Sequence, residues 1–218
     1  MIMPNQPGNE SPLIISYLTV RKLIGLLGMG LPFVLALGGW FVFSAPLRAS
    51  ISAYYYTGMR DVFVGILFAM GVFLLSYHGY ERADFIAGRA GGLFAIGIAL
   101  LPTAPVAHAT PAGKIIGGIH YAFAALFYLT IAYFLLFLFT KTNPARTPTV
   151  RKRHRNRIYR FCGWTMLGCL SFIVINKLRA DGLIVSDDDH PVFFLETIAN
   201  LAFGVSWIVK GETFLKDR

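Results

Sequence analysis

Residues Ile115 to Thr140 form a run of 26 residues without a single Asp, Glu, Lys or Arg. A helix rises about 1.5 Å per residue, so about 20 apolar residues cross the roughly 30 Å of bilayer hydrocarbon. A run this long reads as a membrane span. Five further segments read the same way: Leu23 to Phe43, about Met59 to Tyr77 with Asp61 at its start, Ala90 to Ala107, about Tyr159 to Asn176, and Val192 to Val209, which contains Glu196. Composition agrees, with 14% charged and 56% hydrophobic residues, against about 25% charged in ordinary soluble domains. Mean hydropathy is +0.59. The expected fold is all-α: a polytopic membrane protein built as a six-transmembrane-helix bundle. Residues 1–22 and 210–218 are read as tails and 23–209 as the transmembrane domain. Arg21 and Lys22 before the first span also fit a signal peptide, but the apolar core is too long and the candidate cleavage site Phe43-Ser44-Ala45 precedes Pro46; the helix is read as retained.

Charge sets the expected orientation. With six spans, one side receives Arg21, Lys22, Arg82, Arg89, the cluster from Lys141 to Arg160, Lys210, Lys216 and Arg218, and the other only Arg48, Arg60, Lys114, Lys177 and Arg179, fifteen against five. The positive-inside rule then makes both termini cytoplasmic, in a cell inner (plasma) membrane. The densest basic run, RKRHRNR at 151–157, reads first as a topology determinant and second as a contact for anionic headgroups. It has no interleaved aromatics, so nucleic acid is not an expected partner. Trp40, Trp164 and Trp207 fall near span ends, where indole rings favour the headgroup boundary. Cys162 and Cys169, seven residues apart on one helix, are about 10 Å apart along it, too far for a disulfide. Gly25, Gly28 and Gly30, Gly88 and Gly92, and Gly113 and Gly117 offer faces for close helix approach, and Pro32 is expected to kink the first span.

The segment SISAYYYTGMRD, residues 50–61, is unusually rich in hydrogen-bonding aromatic surface for a connection between apolar spans. On the same outer side, His120 lies five residues into a span counted from Ile115 and Glu196 five residues after Pro191, so each is expected about 7 to 8 Å below the outer boundary. Asn200 shares the Glu196 face one turn deeper. Ionisable groups inside a span cost about 2.5 to 3.5 kcal/mol at its centre and face a partner or a wet cavity. Asp61, His120, Glu196 and Asn200 are therefore expected to converge on an outward-facing polar pocket. Ser50, Ser52, Tyr54, Tyr55 and Arg60 would stand at its mouth, Arg60 supplying a bidentate contact to an anionic group. Packing alone is the simpler reading of His120, and the interface belt that of the three tyrosines. Asp187, Asp188 and Asp189 before His190 and Pro191 fit a helix start, Pro191 as first helical residue and one aspartate as cap, ahead of a calcium site.

Ser50 to Asp61, then Val62-Phe63-Val64-Gly65, Leu101-Pro102-Thr103 and Ile119-His120 resemble bacterial multi-pass proteins of domain-of-unknown-function families, including the Frag-like six-span group, over about residues 20 to 210. That resemblance implies a fold and no chemistry. At the level of a polar intramembrane site the chain is similar to alkaline ceramidase and progestin-receptor-like hydrolases. Their last span carries a His-x-x-x-His zinc pair where this chain has Glu196-x-x-x-Asn200, and they have seven spans.

Three functions follow as expectations. The pocket binds or transports a small ligand, ion or lipid headgroup. Alternatively, zinc held by Asp61, His120 and Glu196 activates water against a lipid amide or ester. The third is a non-catalytic scaffold whose glycine faces meet other helices, a homo-oligomer included. No lysine lies within a span for a retinal Schiff base, and His120 has no evident histidine partner for haem.

Overall fold

The computed structural model describes residues 17–79, 81–104, 110–142, 147–178 and 190–213. Its helices are α1 (Tyr17–Phe43), α2 (Arg60–Leu75), α3 (Arg82–Leu100), α4 (Pro111–Tyr133), α5 (Val150–Leu178) and α6 (Pro191–Lys210). No strand occurs among the described residues. Five of the helices are long and apolar enough to cross a membrane. The exception is α2, whose 16 residues reach about 24 Å, short of the hydrocarbon thickness. The interior is apolar and so is much of the outside: Leu26, Leu37 and Phe41 of α1, Leu93 of α3 and Phe161 of α5 are all more than half exposed.

Local signals set the helix ends. Thr110 Oγ1 accepts from Gly113 N at 3.1 Å and Pro111 opens α4, the N-cap and N1 preferences that satisfy otherwise orphaned N–H groups. At α3, Glu81 and Asp84 form a reciprocal capping box. Pro191 opens α6 as expected, but the residue before it is His190, in the left-handed region (φ 50°) and without a side-chain cap; Asp187 to Asp189 lie outside the described residues, as does His108. Helix α1 runs through Pro32 unbroken and includes Tyr17 to Lys22, so the expected boundary at residue 22 falls inside it. Arg21 is correspondingly not a tail charge. It is buried, stacks over the Tyr17 ring at 4.1 Å and donates from Nη1 to Lys210 O at 3.2 Å, where carbonyls left free at a helix C-terminus favour a cation.

Each helix packs on its chain neighbours and α6 closes back on α1, giving a ring of six. In hydrocarbon, association depends on close van der Waals packing, and glycine supplies it. A Cβ on Gly25 would stand 2.8 Å from Gly204 O, and one on Gly204 would stand 2.7 Å from Gly25 O. Gly71 and Gly92 make the same reciprocal contact between α2 and α3, at 3.0 and 2.7 Å. Gly28 and Gly88 also face packed neighbours, whereas Gly30 faces open space.

Opposite the 44–59 segment, which marks the upper end, the lower end is filled by aromatic rings. Trp207 of α6 is fully buried, with ring centroids of Tyr77, Phe134, Phe139 and Phe203 at 5.1 to 6.1 Å. It is thus a core residue, while Trp40 and Trp164 are exposed as boundary rings would be. Two rings five residues apart stand about 140° apart on an α-helix. Residues Phe134–Leu138 instead form a π-turn, with Phe139 N donating to Phe134 O at 2.8 Å. The wider turn lets both Phe134 and Phe139 reach the same core. Cys162 and Cys169 are free and buried.

Candidate functional site

The 44–59 segment is not a surface linker. Its Ser52–Tyr56 portion makes a 3₁₀ turn, and Ile51, Tyr54 and Met59 are buried at 4%, 1% and 4% exposure. It plugs the upper end of the ring. Two backbone pins hold it to α6: Phe193 N, one of the orphan donors of the helix start, donates to Ala49 O at 3.0 Å, and Ile51 N donates to Glu196 Oε2 at 2.6 Å. Inside the plug Ser50 Oγ accepts from Ala53 N at 3.1 Å, and Thr57 Oγ1 donates to Tyr54 O at 2.8 Å.

Beneath this plug, between α4, α5 and α6, lies a cavity of about 270 Å³. Its polar wall is made by Ser50, Tyr56, Thr103, Tyr121, Tyr128 and the Glu196 carboxylate, and its apolar wall by α5 and by Ala124 and Ala125. Tyr56 donates to Thr103 O at 2.5 Å, and Thr103 Oγ1 lies 3.1 Å from Tyr121 Oη. Burial raises the Tyr56 phenol above its ordinary value of 10.0, with Tyr55 and Tyr121 adding to the effect. The hydroxyl therefore stays a donor, as a carbonyl partner requires. A second cavity of about 40 Å³ lies deeper, room for a water or two at most. It shares Ala124, Tyr128 and Glu196 with the first and adds Ser52 and Asn200. Asn200 Nδ2 donates to Tyr128 Oη at 3.1 Å and to Glu196 O at 3.0 Å. Tyr128 and Glu196 are therefore the partition between the two spaces.

The expected site residues divide accordingly. Ser50 and Glu196 line the upper cavity; Ser52, Glu196 and Asn200 line the lower. Tyr54 is buried against Gly39 and Phe193 as packing. Tyr55 and Arg60 pair with each other near the surface, Arg60 Nη2 donating to Tyr55 Oη at 2.9 Å with the guanidinium 4.5 Å over the ring; neither lines the cavity. Asp61 is exposed. It lies two residues before Phe63, hence about 200° around the helix from the buried stripe of Phe63, Leu67, Met70 and Leu74. The expected convergence of Asp61 on His120 and Glu196 does not form.

His120 is a structural clamp. It is buried at 1% exposure, with Nδ1 2.6 Å from Leu101 O and Nε2 3.0 Å from Ser52 Oγ. A carbonyl only accepts, so Nδ1 carries its hydrogen and Nε2 of the neutral ring accepts from Ser52. One ring thus ties the plug to the α3 end and to α4. Replacing His120 by Ala orphans both partners and is expected to cost about 2 kcal/mol; an unchanged unfolding midpoint for purified H120A would refute the clamp. With both nitrogens committed and Asp61 on the outside, the zinc trio is not assembled. No group of three or more His, Cys, Asp or Glu side chains fit to hold a metal occurs among the described residues.

Tyr121 and Tyr128 were missed although the α4 sequence carries a signal for them. Tyr121, Ala124, Ala125 and Tyr128 recur at i, i+3, i+4 and i+7, one helix face on which two small residues form a notch between two phenols. No protein-family profile, curated protein or solved structure matches the chain.

Proposed function

We propose that this chain is a six-span membrane protein, both termini cytoplasmic in a cell inner membrane, that binds a small amphipathic cation in the cavity beneath the 44–59 plug. The observation that carries the reading is the Glu196 carboxylate on a largely apolar wall beside the Tyr56, Tyr121 and Tyr128 rings. A carboxylate in such surroundings favours a ligand that brings positive charge or strong donors, and phenol faces add cation-π attraction. Orientation rests on the Lys and Arg asymmetry of fifteen against five, which puts the cavity on the outer side. The short α2 then crosses with its ends drawn toward local bilayer thinning. The deeper cavity beyond Tyr128 and Glu196, at about 40 Å³, has room for water only, so the cation is held in the upper space.

The test uses butyltrimethylammonium, pentanoate and pentanol with detergent-purified protein. The cation alone is expected to raise the unfolding midpoint in proportion to the logarithm of its concentration. Glu196→Gln keeps an acceptor for Ile51 N–H and removes the charge; it is expected to weaken that response at least tenfold while leaving the ligand-free midpoint near wild type. Equal responses to all three probes, or a response unchanged in E196Q, would sink the proposal.

A further inference from the structure

We infer that the groove between α5 and α6 at the lower end is a site for one acidic phospholipid, its acyl chain in the groove and its phosphate on Arg157. The groove encloses about 550 Å³, and its walls are almost wholly apolar: Phe161, Cys162, Ile198, Ala202 and Val205 among them. The one charged residue on its wall is Arg157. No hydrogen bond or ion pair engages that guanidinium among the described residues, and the side chain is exposed.

Position along the helices fits a lipid. Helices α5 and α6 run antiparallel, since α5 leaves the lower end at Val150 and α6 reaches it at Lys210. Arg157 and Val205 therefore mark the end nearer the boundary, and Thr165 and Ile198 the end toward mid-membrane. The eight residues from Arg157 to Thr165 rise about 12 Å, the direction and scale of the upper part of an acyl chain. A charge at the boundary end and hydrocarbon walls below it are the two halves of a phospholipid in the order a leaflet presents them.

The charge is also arranged on one face. Arg153, Arg157 and Arg160 recur at i, i+4 and i+7, neighbours on a helix surface, and all three are exposed. The face continues into Phe161 and Trp164, exposed at 74% and 67%, apolar surface one to two turns below Arg157 against which an acyl chain can lie. No Asp or Glu occurs anywhere in α5, so no acidic side chain of that helix competes for the arginines. Guanidinium groups bind phosphate oxygens bidentately, and a basic cluster next to a span is a general source of acidic-lipid affinity. The groove makes it a site: one arginine sits at the head of a chain-sized channel, and its two neighbours bracket the headgroup.

The test is native mass spectrometry of the full chain titrated with phosphatidylglycerol or phosphatidylcholine of identical acyl composition. Wild type is expected to hold one phosphatidylglycerol at least tenfold more tightly than phosphatidylcholine. Arg157→Gln should erase most of that preference, and Arg82→Gln, an exposed charge at the same end on α3, should preserve it. Val205→Trp, which fills the groove from an exposed position, should weaken retention of both lipids. The inference is overturned if R157Q and R82Q behave alike, because the preference then reflects net charge, or if V205W retains phosphatidylglycerol as wild type does. All variants are read against their own monodisperse apo peak, so a variant that fails to fold is distinguished from one that fails to bind, and V205W and R157Q fail independently.

Discussion

Gly204→Leu is expected to open the seam between α1 and α6 and to remove most folded protein. A Cβ there would stand 2.4 Å from Met29 Cβ and 2.7 Å from Gly25 O, and a backbone oxygen cannot swing aside as a flexible side chain can. Overpacking of a close-packed site costs about 1 to 3 kcal/mol when side chains absorb it. Here the α1 backbone must move, and with it the ring closure, so a loss of about 3 kcal/mol or more is expected. Gly30 lies on the same helix but faces open space; Gly30→Ala is expected to be neutral or to gain up to about 1 kcal/mol from helix propensity. The measure is the fraction of each variant that stays monodisperse on size-exclusion chromatography along a heating series. Equal curves for G204L and wild type would show that the two backbones are not in contact.

The second large effect belongs to Trp207. Its indole is fully buried among Tyr77, Phe134, Phe139 and Phe203, while its Nε1 has no hydrogen-bond partner among the described residues. Shape rather than polarity therefore dominates its contribution. Trp207→Ala leaves a large void and is expected to cost about 3 to 5 kcal/mol. Trp207→Phe keeps most of the ring contacts and removes a buried donor that nothing engages, so its cost is expected below about 1.5 kcal/mol. Unfolding in a graded denaturing detergent, followed by circular dichroism, separates the two. A similar loss for both would mean that the indole N–H is used after all.

The helices were legible because their signal is long and nearly binary: charge-free apolar runs separated by Lys, Arg, Pro and Gly. Pro191 even marked one start. The site was less legible, for three physical reasons. Helix α4 starts at Pro111, four residues before the Ile115 used to count the depth of His120, yet His120 and Glu196 do meet one turn of the plug, at Ser52 and Ile51; what counting could not supply is that each is held by the plug instead of facing the other. Asp61 was placed by depth without its face, although Phe63, Leu67, Met70 and Leu74 already put it on the other side of α2. The 50–61 segment was legible as a rim over an outer pocket, but its burial was not, because a 3₁₀ turn folded back into a bundle has no periodicity and its burial depends on pins supplied by α6. Trp207 shows the same limit in reverse: an aromatic near a span end looks like a boundary ring until neighbouring helices enclose it.

The ring closes between the first helix and the last, and this matters to a chain that is made from one end. Helix α1 leaves the ribosome with Gly25 and Gly28 bare, and its α6 surface is the last long segment to arrive. The pins at Ala49 and Ile51 wait for the same event. Until Phe193 and Glu196 emerge, the upper end has a stopper and nothing to seat it. Shape at both ends of the molecule is thus decided by the 20 residues of α6, without which the other five described helices form an open arc.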